Sequence, residues 1–297
     1  MPLAALAGTI RILPPLPGSI HELLTLNLHD KDLPERVHDV IERDPPLAAY
    51  VVRIANSAAF RGNSQIDTLR AAINRVGAPM IVGNALQNAV HRVFDAYGGM
   101  GRRLGDDAIL EANLMMALAT VWEARNHLPP EVAYLHGLLH DIGHLVMALK
   151  LGKALDDFGH RSIPAGEVAQ REGETFGFDH QQAGRLLGNH WQLPEDLTVV
   201  IASHHFPREL RYGQQDSTNL VMDMLAVTDR LSRMVTANLH AADGADAAIT
   251  DWLVTPEAQK LLGPLGGTPD EVMQAVSIAL SGVERDMSAH TDTPDAS

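Results

Sequence analysis

Apolar residues recur along most of this chain three and four positions apart, the spacing that lines one face of a helix. Residues 12–17, rich in proline, read as an extended lead-in. The helical pattern then starts behind Ser19 as N-cap, with Ile20, Leu23, Leu24 and Leu26. It resumes over 33–43 through Val37, Val40 and Ile41 and stops at Asp44-Pro45-Pro46, where the prolines suit the first turn of a new helix and Asp44 its cap. That helix carries Leu47, Tyr50, Val51 and Ile54 and ends near Asn56-Ser57. Helices are predicted next over 68–76 and 78–97, parted by Gly77 and Pro79, and a Gly-rich joint at 98–105 marks the boundary to a second lobe. Beyond it the pattern predicts helices over 109–125, 131–151, 168–191 with a break at Gly173 and Gly177, 196–205 and 218–235. Weaker ones follow near 256–262 and 269–284. The last dozen residues are polar and expected to be disordered. No stretch alternates with period two for long enough to be a strand, so an all-α, two-lobed helical bundle is expected.

Composition sharpens this picture. Apolar residues make up 45% of the chain but aromatics only 4%, so the core must be aliphatic, a mix that favours helix over strand. The net charge of −14 repels phosphate backbones and argues against nucleic-acid binding. Without cysteine there is no disulfide framework, no thiolate metal site and no cysteine nucleophile. The opening residues lack a basic stretch and their apolar run breaks at Pro14-Pro15. No apolar run approaches the ~18–20 residues of a membrane helix. A cytoplasmic protein with no membrane contact is expected.

Candidate chemistry lies in the middle third, where nine of the fifteen histidines fall between His127 and His205. Histidine is the commonest metal ligand and the readiest proton carrier near neutral pH. In Leu138-Leu139-His140-Asp141-Ile142-Gly143-His144, helical spacing places His136, His140 and His144 on one face, with Asp141 able to reach the same ion. An ionised aspartate among leucines is costly unless a cation or hydrogen bonds compensate it. His180, the doublet His204-His205 and Asp229 each lie on an apolar helix, and together they favour a shared site. Imidazole and carboxylate ligands suit Fe, Mn, Zn, Ni or Co, as one or two ions. A metal-free buried hydrogen-bond network is the plainer alternative. Asn56-Ser57 reads more simply as a helix end than a binding motif, Arg102-Arg103 as solvated linker, and Met115, Met116, Met222 and Met224 as core.

The order His140-Asp141, His180, His204-His205, Asp229 resembles the ligand series of the HD superfamily of metal-dependent phosphohydrolases. Leu13-Pro14-Pro15-Leu16-Pro17, Ile41-Glu42-Arg43-Asp44-Pro45, Arg53-Ile54-Ala55-Asn56-Ser57 and Ala72-Ile73-Asn74-Arg75-Val76-Gly77 resemble the HDOD module, the HD-related output domain of bacterial signalling proteins. The resemblance implies an N-terminal helical lobe over 10–97, an HD-like helical core over 106–235 and a C-terminal extension over 236–297. Three departures stand out. The histidine that active HD enzymes carry on the preceding helix is replaced by Ala112 or Asn113, with Glu111 or Asn113 as substitute oxygen ligands. The usual lysine after the His-Asp pair is His144. The glycine-tyrosine-proline segment of the HD-GYP branch is replaced by Phe206-Pro207-Arg208-Glu209-Leu210.

The resemblance therefore implies a signalling module, non-catalytic or weakly active, that works through protein partners and a bound metal. Its alternative is a phosphohydrolase acting on a nucleotide or cyclic dinucleotide. There His140, Asp141 and Asp229 would hold one ion and His180, His204 and His205 another, while His144 would orient a phosphate or protonate the leaving group.

Overall fold

The computed structural model describes residues 6–28, 30–57, 60, 65–95, 98–159, 162–211, 213–238 and 244–291, and every long regular element among them is a helix. The predicted end of a helix at Tyr97 and the final residues 292–297 lie outside this set. Two compact units emerge, one comprising Met1–Pro15 and His91–Ala279, the other Leu16–Val90 and Leu280–Ser297.

A short helix that the sequence did not predict, α1 (Leu6–Arg11), precedes the extended proline segment. The smaller unit then runs through α2 (Gly18–Leu24), α3 (Leu33–Glu42), α4 (Pro45–Asn56), α5 (Leu69–Val76) and most of α6 (Ala78–Asp95). Its helices start and stop where side chains satisfy free backbone groups. Asp44 accepts from Leu47 N at 3.1 Å and caps α4, while Thr68 does the same for Ala71 N in α5. Gly77, at φ 91°, ends α5 in a conformation other residues resist. Ser19 is not the cap expected of it. It lies inside α2, and its hydroxyl donates to Asp44 Oδ2 at 2.5 Å. Asn56 closes α4 and clamps the returning chain, its amide donating to Ile66 O (2.7 Å) and accepting from Ile66 N (2.8 Å).

The larger unit contains α7 (Gly98–Asn126), α8 (Pro130–Leu139), α9 (Gly143–Leu151), α10 (Lys153–Phe158), α11 (Val168–Phe176), α12 (His180–His190), α13 (Glu195–Ser203), α14 (Asp216–Asn238), α15 (Asp246–Leu253) and α16 (Pro256–Leu262). The glycine-rich joint is a correction: residues 98–105 form the first turns of α7, not a linker. Arg103 pairs there with Asp156 at 2.5 Å. α17 (Pro269–Thr291) continues past the predicted end at 284 and makes part of the expected disordered tail helical. α8 lies against α7 at Gly137, where a Cβ would come within 2.7 Å of Ala112 Cα and Glu111 O. Trp191 Nε1 donates to Pro14 O (3.1 Å) and anchors the lead-in. One stretch, Pro130–Leu151, is long and apolar enough on composition alone to cross a membrane, yet 78% of its window is buried inside the protein and a turn at 140–142 divides it.

Candidate metal centre

That turn builds the site. Ile142 N donates to Leu139 O (3.0 Å), His144 N to Asp141 O (2.9 Å) and Leu145 N to Ile142 O (3.1 Å), three-residue closures tighter than the α-helical ladder. The unbroken helix expected over 131–151 is thus two helices, and its three histidines do not share one face. His144 is carried round to Glu172, at 2.9 Å. His136 stays buried, its Nδ1 without a hydrogen bond, and burial lowers its pKa to about 4 despite the nearby charge of Asp196.

Donors from separate helix ends converge on Asp141. Its Oδ1 lies 3.2 Å from His204 Nε2 and 3.5 Å from His180 Nε2. Oδ2 lies 3.4 Å from His144 Nδ1 and 3.8 Å from His140 Nε2. His180 opens α12 behind the capping box of Asp179 and Gln182, and His204 closes α13. Glycine allows the approach. A Cβ on Gly143 would sit 1.8 Å from His180 O, and one on Gly184 would sit 2.5 Å from Ile201 Cγ2. Gln181 Oε1 accepts from His205 N (3.0 Å) and fixes the doublet.

The orientation of the rings is informative. His140 Nδ1 is 2.9 Å from Gly137 O, His180 Nδ1 is 2.6 Å from Glu172 Oε2, and His204 Nδ1 is 3.2 Å from both Val200 O and Ile201 O. Those oxygens accept hydrogen bonds, so each Nδ1 carries a proton, and each ring, when neutral, turns the Nε2 lone pair inward. The Nε2 atoms of His180 and His204 stand 3.3 Å apart beside Asp141 Oδ1, an enclosed oxygen that makes no hydrogen bond. These groups repel one another without positive charge between them. A proton on one ring satisfies one pair, whereas a transition-metal ion satisfies Asp141, His180, His204 and His205 together, whose donor atoms lie within 4.8 Å of one another. The residues fit such an ion. A second set, Glu111, His140 and Asp141, meets the same distance limit.

Electrostatics divide the roles. Burial opposes the charge of Asp141, but in the metal-free site positive charge on His140, His144 and His180 overcomes it and holds the carboxyl well below its usual range. Burial also opposes the charge of His144, yet Asp141 and Glu172 lift its pKa well above the ordinary value and leave it a cation. His205 is driven well below by burial, then by His204 and His180, and stays a neutral donor. Glu111 is pushed well above its usual range, first by burial and then by Asp141 and Asp229.

Asp229 lies outside both donor sets and accepts from Arg233 Nε at 2.7 Å. It lines a cavity of about 220 Å³ that also meets Asp107, Glu111, Asp141, His144 and Arg233. Of the two residues in the place of the missing histidine, Ala112 is fully buried and Asn113 donates to Ile109 O (2.9 Å) on its own helix. Glu111 is the residue that comes to His140, with Oε2 at 3.6 Å from Nε2. Sequence reasoning missed Glu172, Gln181 and Arg233. Glu172 had a signal, since it falls midway between Val168 and Phe176 on the stripe of an amphipathic helix and is wholly buried.

Residues 13–207 match the family profile of the HDOD domain. A Treponema pallidum protein of uncharacterised role is 26% identical over 214 residues, a match covering 68% of this chain and 39% of that protein's length. Among solved structures, an HDOD domain protein of unknown function from Geobacter sulfurreducens superposes with a TM-score of 0.65 at 23% identity, covering 97% of this chain and 96% of that one. A candidate phosphohydrolase from Shewanella amazonensis gives 0.62 at 23% identity, with 93% and 97% covered. A candidate signal transduction protein from Marinobacter aquaeolei gives 0.59 at 21% identity, with 93% and 65% covered. At these identities the likeness concerns the fold.

Proposed function

Because the chain belongs to the HDOD family, we propose that it is a signalling module, built around a metal ion, that acts through a protein partner and does not turn over a phosphodiester. The observation that carries this reading is the state of the cavity cations. His144 is engaged by Asp141 and Glu172, and Arg233 by Asp229 and by Ile163 O at 3.0 Å. A phosphate entering there meets Asp107, Glu111, Asp141 and Asp229 with both cations already paired. In this reading Asp141, His180, His204 and His205 hold the ion, which ties the 140–142 turn to the ends of α12 and α13.

One observation favours the alternative. Asp141 belongs to both donor sets, the shared-carboxylate arrangement that two-metal hydrolases use. Bound metal would supply Lewis acidity and lower the pKa of a water. Cationic His144 would protonate the leaving oxygen of a nucleotide or cyclic dinucleotide.

Elemental analysis of the purified protein beside Asp141→Ala, with a phosphodiester assay on the same samples, separates these readings. We expect about one ion per chain, lost in the variant, and no turnover. Metal-dependent turnover abolished in Asp141→Ala would replace the signalling reading with the hydrolase. Absence of metal after reconstitution with Fe, Mn and Zn removes the metal centre altogether.

A further inference from the structure

Resting on the metal reading above, we infer that Glu172 is a positioning residue that fixes the tautomer of His180 and joins this ligand to His144 at the cavity wall. Glu172 is 0% exposed and reaches the site from α11, which contributes none of the donors that surround Asp141. Its Oε2 accepts twice from one residue, from His180 N at 2.9 Å and from Nδ1 at 2.6 Å. Its Oε1 lies 2.9 Å from His144 Nε2. The backbone bond fixes the carboxylate against the first turn of α12, so the ring is oriented by the same oxygen that holds its main chain. With the proton confined to Nδ1, Nε2 has only one direction to present its lone pair, toward Asp141 Oδ1 and His204.

Glu172, His144 and His180 themselves form a compact acid–imidazole group, but the geometry argues against a separate ion there. Three N–H contacts already fill an enclosed carboxylate, and His180 turns its proton toward it. A carboxylate placed behind a ligating imidazole raises the basicity of that ring and holds its angle, and its loss weakens metal binding by roughly 10–100-fold. His144 and His180, stacked with ring centroids 4.3 Å apart, are held by opposite oxygens of this one side chain.

The test is Co²⁺ titration of the metal-stripped full-length chain, followed by the visible spectrum of the bound ion, on wild type, Glu172→Gln and Glu172→Met. Long-range ¹H–¹⁵N correlation of the histidine rings in the metal-free proteins accompanies it. Wild type should show the Nδ1–H form of His180 and tight Co²⁺ binding. Glu172→Met should lose roughly 10–100-fold in affinity, admit the Nε2–H form and alter the Co²⁺ spectrum. Glu172→Gln keeps an acceptor for Nδ1–H and should recover part of that loss. Unchanged affinity and spectrum in both variants overturns the inference while leaving the metal centre standing. Should Glu172→Met not fold, unchanged affinity in Glu172→Gln overturns it alone. A wild type that binds no Co²⁺ overturns this inference and the metal reading together.

Discussion

Asn56 and Asp141 both place a polar side chain where apolar helices meet, and they are in opposite states. Asn56 spends its whole amide within the fold: Nδ2 donates to Val52 O (2.9 Å) and Ile66 O, and Oδ1 accepts from Ile66 N. It ties the end of α4 to the chain at Ile66 that leads into α5. Asp141 has an enclosed oxygen with no hydrogen bond, faced by the Nε2 atoms of His180 and His204. An enclosed polar group supplied with partners is architecture, while one kept ionised among donors that cannot satisfy it is a candidate cation ligand. The sequence already reads Asn56-Ser57 as a helix end and His140-Asp141 as candidate chemistry, and the hydrogen bonds of the two side chains supply the physical reason.

The largest blow to this contrast is Gly143→Ala. The new methyl collides with the His180 backbone, so α12 must retreat and withdraw His180 from Asp141. We expect a loss of about 4 kcal/mol or more in stability together with the metal, read by thermal unfolding and elemental analysis.

A second test sharpens the contrast through His136, another buried group with an unsatisfied nitrogen. Its folded pKa of about 4 lies below the 6.5 of an unfolded histidine. The unfolded chain therefore takes up the proton first, and stability falls as pH drops from about 6.5 to about 4 and levels off below that. The contribution is of the order of 3 kcal/mol. In metal-free protein, chemical denaturation across this window should show a shallower slope for His136→Leu than for wild type. Identical slopes would show that His136 is not buried as a neutral ring.

Smallest is Asn56→Ala, expected to cost about 2 kcal/mol by stranding the Ile66 backbone groups. It should leave bound metal unchanged, and a loss of metal in this variant would break the distinction between the two polar groups.

Much of the fold was legible because the chain punctuates itself. Asp44, Thr68, Gly77, Gly177 and Asp179 all stop or start helices where their chemistry predicts. The joint at 98–105 misled because four glycines suggest a linker, yet each costs only about 1 kcal/mol in a helix, and the buried face of α7 that follows outweighs them. The turn at 140–142 was invisible because leucines and isoleucine run through it without proline, leaving the 3.6-residue pattern intact. For the site, residue types pointed to the histidines and Asp141, but not to how they group. Asp229 pairs with Arg233 one turn along α14, a local spacing the sequence does carry; Glu111 comes to His140 because α7 and α8 touch at Ala112 and Gly137. That contact joins residues far apart in the chain, which no local pattern records.

The donors around Asp141 come from three places along the chain, with His180 and His204 alone 24 positions apart. None of them can meet before those loops have closed and α9 and α12 have docked glycine to backbone. An ion that recognises the assembled set binds the native chain and ignores the unfolded one, so at a hundred times its dissociation constant it adds about 2.7 kcal/mol to stability. On the metal reading, the ion would thus act as a staple that closes only after the chain has folded, and stripping it should lower the unfolding temperature.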